Sequence, residues 1–106
     1  MERSLLLVAQ YDFIAVYILT NHKRGTLYTG VSSDLPHRIE QHRTTEERSF
    51  TRQYGLMRLV WFERHDTMDE AIRREKRIKD WKRLWKIQMI EKSNPDWDDI
   101  SAQLIW

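Results

Sequence analysis

The chain has no cysteine among its 106 residues. Neither a disulfide framework nor a thiolate metal site can be built, and the reducing cytoplasm is the expected setting. Glycine is scarce, at Gly25, Gly30 and Gly55 only, so no glycine-rich phosphate loop exists. There is no Gly-Ser linker, internal repeat or low-complexity tract, and residues 1–106 read as a single domain. A domain of this size buries ~65% of its unfolded surface, enough for one core. No stretch approaches the ~18 apolar residues of a membrane helix, so no membrane partner is expected. The apolar run from Ser4 to Ala9 is too short, and too weakly charged upstream, for a signal peptide. It reads as a leading segment that pairs with or packs on the domain. The four histidines (His22, His37, His42, His65) lack zinc-type spacing. Nothing places a serine, histidine and aspartate together as a triad.

What the chain does have is charge, distributed unevenly. The formal net charge is +2. Within residues 73–86, however, Arg73, Arg74, Lys76, Arg77, Lys79, Lys82, Arg83 and Lys86 face only Glu75 and Asp80. After Lys92 the charged residues are all acidic: Asp96, Asp98 and Asp99. A basic stretch interleaved with Trp81 and Trp85 suits a polyanion. It equally describes a solvated helix face.

The stretch from Ala15 to Arg38 organises the rest. The apolar, β-branched run from Phe13 to Leu19 has strand length, the polar segment Thr20–Gly25 makes a turn, and Thr26–Val31 makes a second strand. That is a hairpin pattern. Ser32, Ser33 and Asp34 then offer helix caps, with Pro36 in the first turn. Arg38 and His42 are four residues apart on that helix and project from one face. Tyr17 and Tyr28 lie in the two strands. They pack as strand-favouring aromatics, or their hydroxyls converge with Arg38 and His42 on one polar site.

Farther along, residues 44–53 are polar and read as a surface loop, and Tyr54-Gly55 as a turn. Leu56–Glu63 reads as the central or third strand of a small sheet. A second helix begins near Thr67, which with Glu70 forms a capping-box pattern. Its apolar stripe is Met68, Ala71, Ile72 and Ile78, with Glu75 in the middle. A carboxylate on a core-facing stripe is costly unless paired or holding a metal. Lys79, four residues on, or a cation from the sheet is the candidate pairing partner, and Glu70 points off the stripe. A third helix is expected from Trp81 to Lys92, with Trp81, Leu84, Trp85 and Met89 or Ile90 inward, stopped by Asn94-Pro95. The fold class is α/β: a small, largely antiparallel three-stranded sheet with an N-terminal β-hairpin, flanked by helices.

Ala15-Val16-Tyr17 and Tyr28-Thr29-Gly30, with Arg38 ten residues after the second tyrosine, resemble the GIY-YIG nuclease domain. AVY stands for GIY and YTG for YIG, so both tyrosines and the glycine are kept. The resemblance continues through Leu59–Glu63, Glu70–Lys76 and Asn94–Trp97, and is nearest to the small stand-alone bacterial members. It implies a metal-dependent endonuclease that hydrolyses phosphodiester bonds in DNA, of branched, flapped or damaged form, in a structure- or repair-related role. Tyr17 is placed as the group that takes a proton from the attacking water, which requires its phenol to fall below the usual ~10. Tyr28 would orient water or phosphate, and Arg38 would stabilise charge on the phosphate. His42 would support proton transfer or phosphate contact. Glu75 would hold one Mg²⁺ or Mn²⁺, and Asn94 matches the family's C-terminal asparagine loosely. Arg73, Arg77, Lys79, Lys82 and Arg83 are the expected nucleic-acid contacts. Two alternatives stand beside this reading: a nucleic-acid-binding module with slow or lost catalysis, and a subunit directed to DNA by a protein partner.

Overall fold

The computed structural model describes residues 13–44 and 58–104. The expected leading segment, the polar loop beyond residue 44, the Tyr54-Gly55 turn and the start of the third strand at Leu56 lie outside the described residues. Within them the order is β1 (Ala15–Thr20), β2 (Leu27–Ser32), α1 (Leu35–Thr44), β3 (Arg58–Arg64), α2 (Met68–Lys79) and α3 (Arg83–Ser93), then a short 3₁₀ helix (Ser101–Leu104). The sheet is antiparallel, in the order β2-β1-β3. Among the described residues β1 is therefore the central strand, and β3, third in sequence, is an edge.

Every residue of β1 is buried, which is why its sequence is a continuous apolar run rather than an alternation. The two sheet faces still divide by the period-2 rule. Ala15, Tyr17 and Leu19 face Leu35 and Ile39 of α1, together with Phe13, Leu59 and Leu104. Val16 and Ile18 face Ala71 and Ile78 of α2, Ile90 of α3 and Trp97. β3 departs from strict alternation. Ile18 pairs with Trp61 and Leu19 with Leu59, so Val60 is an extra residue, a β-bulge. Val60 and Trp61 consequently both pack on the α2/α3 side.

The helix starts follow the capping residues. The Ser32 Oγ accepts from the Asp34 N–H, and the Asp34 carbonyl takes the first turn's N–H from Arg38. The Thr67 side chain accepts the Glu70 N–H, the first half of the expected capping box. On α2, Ala71, Glu75 and Ile78 are buried, as the apolar stripe requires, while Glu70 is exposed.

α3 corrects an expectation. It starts at Arg83, two residues later than predicted, and only Ile90 is fully buried. Leu84 and Trp85 point to solvent, at 59% and 49% exposure. The reason is what lies beneath: α3 packs on the edge strand β3. There it needs only the narrow face of Ile87, Ile90 and Met89, and Trp97 from the following segment fills the remaining space.

Candidate active site

The β1–β2 hairpin builds the site. Its turn is closed by the Asn21 Oδ1, which accepts from the Thr26 N–H, and by the Gly25 N–H bonded to the His22 carbonyl. This register pairs Tyr17 with Gly30 and Leu19 with Tyr28. Tyr17 and Tyr28 thus share the α1 face as diagonal neighbours, with ring centres 6.3 Å apart. The Tyr17 ring lies across Gly30. A Cβ at residue 30 would stand 2.6 Å from the Tyr17 Cζ and 2.7 Å from its hydroxyl oxygen. Glycine is required there because the phenol occupies the space a side chain would take.

α1 brings in the third ring. His42 Nε2 is 3.2 Å from the Tyr17 hydroxyl oxygen, and its ring centre is 6.1 Å from Tyr17 and 6.2 Å from Tyr28. Three polar rings from three elements therefore surround one point. Arg38, one turn before His42 and exposed, places its charge close enough to act on both Tyr17 and His42. Glu75 comes from the opposite layer. Because α2 lies against β2 and β1, the Glu75 carboxylate also acts on the Tyr17 hydroxyl. The structure brings the rings of Tyr17, Tyr28 and His42 together and sets Arg38 and Glu75 within electrostatic reach of Tyr17.

The electrostatics correct one sequence expectation. Tyr17 is raised above the ordinary phenol range rather than lowered. Burial is the main cause, followed by Tyr28, while Arg38 opposes and Glu75 adds to the rise. Tyr17 is a neutral hydroxyl at pH 7. His42 is pushed below its ordinary value by burial and then by Arg38, so its imidazole is held neutral. The pair is thus a phenol beside a neutral imidazole able to accept its proton through Nε2.

Among the described residues no three His, Cys, Asp or Glu side chains converge on a metal position. The donor set here is the single Glu75 carboxylate. That fits Mg²⁺ or Mn²⁺, ions that keep waters and take one or two carboxylates plus substrate phosphate oxygens. The Glu75 Oε2 is bonded to the Lys79 ammonium at 2.7 Å, the pairing foreseen as the alternative. The Lys79 side chain is 53% exposed and can turn into solvent.

The remaining expected residues are placed elsewhere. Asn94 is buried, and its hydrogen-bond partners are backbone groups of Val60 and Asp98 rather than the rings. Its Nδ2 donates to the Val60 and Asp98 carbonyls, and its Oδ1 accepts from the Asp98 N–H. It therefore serves the carbonyl of the β3 bulge and ties down the segment that covers that sheet edge, where the Ile100 N–H meets the Leu59 carbonyl. Asn94→Ala should cost about 2–3 kcal/mol, since buried backbone groups lose their partner. The melting temperature should fall by roughly 10 °C or more. Below that melt, chemistry per folded molecule should be unchanged, and thermal denaturation beside a nuclease assay at low temperature checks both halves.

Arg73, Arg77 and Lys82 are exposed on the basic face, as expected of cations open to a polyanion. Lys79 is engaged with Glu75. Arg83 differs: its guanidinium donates to the Arg24 and Gly25 carbonyls, bracing the hairpin turn. Arg24 adds a two-pronged pair with Glu91 of α3, at 2.9 and 3.0 Å. Sequence reasoning missed the role of Gly30 as the floor under Tyr17. The available signal was the hairpin itself, because pairing the strands symmetrically about the turn sets Gly30 opposite Tyr17.

The family model described as the GIY-YIG catalytic domain matches residues 13–88. A UPF0213 protein of Staphylococcus aureus is 34% identical over 67 residues, 63% of this chain and 82% of that one. A UPF0213 protein of Staphylococcus saprophyticus is 37% identical over 68 residues, 64% of this chain and 83% of that one. The solution NMR structure of a UPF0213 protein from Bacillus halodurans is similar with a TM-score of 0.52 and 31% identity, covering 81% of this chain and 90% of that chain. The matched span contains the hairpin, α1, β3, α2 and the start of α3, and with them both tyrosines, Gly30, Arg38, His42 and Glu75. The chain belongs to the GIY-YIG family of nuclease domains.

Proposed function

We propose that the protein hydrolyses phosphodiester bonds in DNA at the surface formed by Tyr17, Tyr28, Arg38, His42 and Glu75. The observation that carries this reading is the Tyr17 hydroxyl. It lies 3.2 Å from His42 Nε2 and within the field of both Arg38 and Glu75. Hydrolysis of a phosphodiester needs a deprotonated water, charge relief on the phosphate and a stabilised leaving oxygen. A phenol raised by burial cannot begin as a phenolate. It can accept a proton from water on its oxygen while passing its own proton to the neutral His42, so the pair acts as a relay. Tyr28, with its ring centre 6.3 Å from that of Tyr17, orients the water or a phosphate oxygen. Arg38 is exposed, and its fork of donors suits the phosphate. Glu75 would hold a divalent cation, which when bound supplies Lewis-acid charge to phosphate and leaving oxygens. Arg73, Arg77 and Lys82 would meet the backbone of the duplex.

The test is a screen of branched, flapped, nicked and plain duplexes with Mg²⁺ or Mn²⁺. The expected result is metal-dependent product from at least one substrate, and no product from any substrate overturns the reading. The pH profile adds a sign. His42 must be neutral to accept a proton, and its pKa is lowered from 6.5. Cleavage should therefore fall on the acid side as pH drops through the lowered value, with that limb centred below 6.5. An acid limb centred above 6.5 would contradict His42 as the acceptor.

A further inference from the structure

A second feature lies on another flank of α2. Arg74, Trp81, Trp85, Gln88, Met89 and Lys92 line an open cleft of about 430 Å³ between α2 and α3. That is within the ~300–1,000 Å³ of small-molecule sites. Arg74 and Glu75 are consecutive on α2 and project about 100° apart. The cleft therefore opens away from the Glu75–Tyr17 surface.

We infer that this cleft binds an unpaired nucleic-acid strand, with a base against Trp85 and the neighbouring phosphates on Lys82 and Lys92. Trp85 is half exposed beside the still more exposed Leu84, an arrangement the core does not need. Trp81 stands edge-on to it, 6.3 Å between centres, and steadies the platform. Arg74 lies 5.4 Å from the Trp81 ring while bonded to Glu63 at 2.9 Å, so it is a fixed part of the wall. The Lys82 ammonium is 5.8 Å from the Trp85 ring centre. Among the described residues no acidic side chain lines the cleft, and Gln88 presents both a donor and an acceptor to a base edge.

Aromatic faces flanked by cations hold single strands, because every base has a stacking face and every nucleotide a phosphate. A second copy of this chain is the poorer occupant. A two-fold contact through this face would set two stretches of strongly positive charge, residues 73–86, against each other. The inference shares with the proposed function the nucleic-acid class of ligand and one cation, Lys82, and it requires no metal.

The test is fluorescence anisotropy in EDTA with labelled oligothymidylate, oligouridylate and a blunt duplex. Tryptophan emission is followed in the same titrations. Trp85→Ala, whose side chain is half in solvent, should fold and bind both single strands about 10-fold or more weakly, with little change on the duplex. The wild type should show tryptophan quenching that the variant lacks. Lys82→Ala/Lys92→Ala should lower the salt slope of strand binding by about 1–2. The tighter of the two oligonucleotides distinguishes DNA from RNA as the source of the strand. Unchanged strand affinity in Trp85→Ala overturns the inference. So does a wild-type dimer in sedimentation that Trp85→Ala dissolves, since the cleft would then be a contact between copies. A wild type that binds strands but cuts nothing sinks the cleavage reading alone. One that cuts duplex but binds no strand sinks this one.

Discussion

Glu75→Ala should abolish divalent-dependent cleavage, a loss of about 10³-fold or more, since it removes the carboxylate proposed to hold the ion. Its melting temperature should stay within a few degrees of the wild type, roughly 2–4 °C. The two outcomes separate because of Lys79. Glu75 is buried, and its ion-pair partner is the Lys79 ammonium. Had both members been enclosed, removing one would strand the other and cost ~3–5 kcal/mol. Lys79 is more than half exposed, so water replaces the lost carboxylate. A pair of this i,i+4 kind contributes only ~0.3–0.5 kcal/mol, and alanine is a better helix former than glutamate. DNA binding without metal should persist or strengthen slightly as a negative charge leaves the surface. Nicking and thermal melting measured on one preparation decide the matter. Cleavage at the wild-type rate sinks the assignment. A large drop in melting temperature would make Glu75 a structural residue.

Gly30→Ala should impair the site as severely as loss of the Tyr17 hydroxyl. The added methyl would overlap the Tyr17 ring and hydroxyl, at 2.6 and 2.7 Å. Tyr17 is 2% exposed and enclosed by Leu35, Ile39 and Leu59, so its ring cannot swing clear without displacing the core. The clash should cost about 1–3 kcal/mol and carry the hydroxyl away from His42. Cleavage should fall ~10²-fold or more, the scale of losing a positioned proton-transfer group. Tyr17→Phe is the comparison. It deletes the hydroxyl with little change in shape, so its activity should match that of Gly30→Ala while its stability falls by only ~1 kcal/mol. Urea unfolding and steady-state cleavage of the three proteins test the pair of effects. A fully active Gly30→Ala would show that the Tyr17 hydroxyl need not occupy its present place.

Local pattern in the sequence was sufficient for the hairpin, the α1 caps, the capping threonine of α2 and the burial of Glu75. Each depends on residues within a few positions of one another: β-branched runs about a polar turn, hydroxyls before a helix, a carboxylate on an apolar stripe. Periodicity placed Arg38 and His42 on one helix face and Tyr17 and Tyr28 in paired strands. It left both tyrosines open to a packing role and Glu75 open to an ion pair. Only the resemblance to the GIY-YIG pattern singled out Tyr17, Tyr28, Arg38, His42 and Glu75 as candidates. Three matters were decided only by packing. The bulge at Val60 breaks the alternation of β3, and its carbonyl is met by Asn94, thirty-four residues later in the chain. Trp85 faces outward because α3 rests on a sheet edge and Trp97 fills the core first, a competition between distant residues that no periodicity encodes. The direction of the Tyr17 shift turned on how deeply three elements bury one hydroxyl. The sequence by itself determined which ionisable and hydrogen-bonding groups the hairpin, α1 and α2 carry. The tertiary structure decided their protonation, because desolvation depends on what surrounds a group in space rather than along the chain.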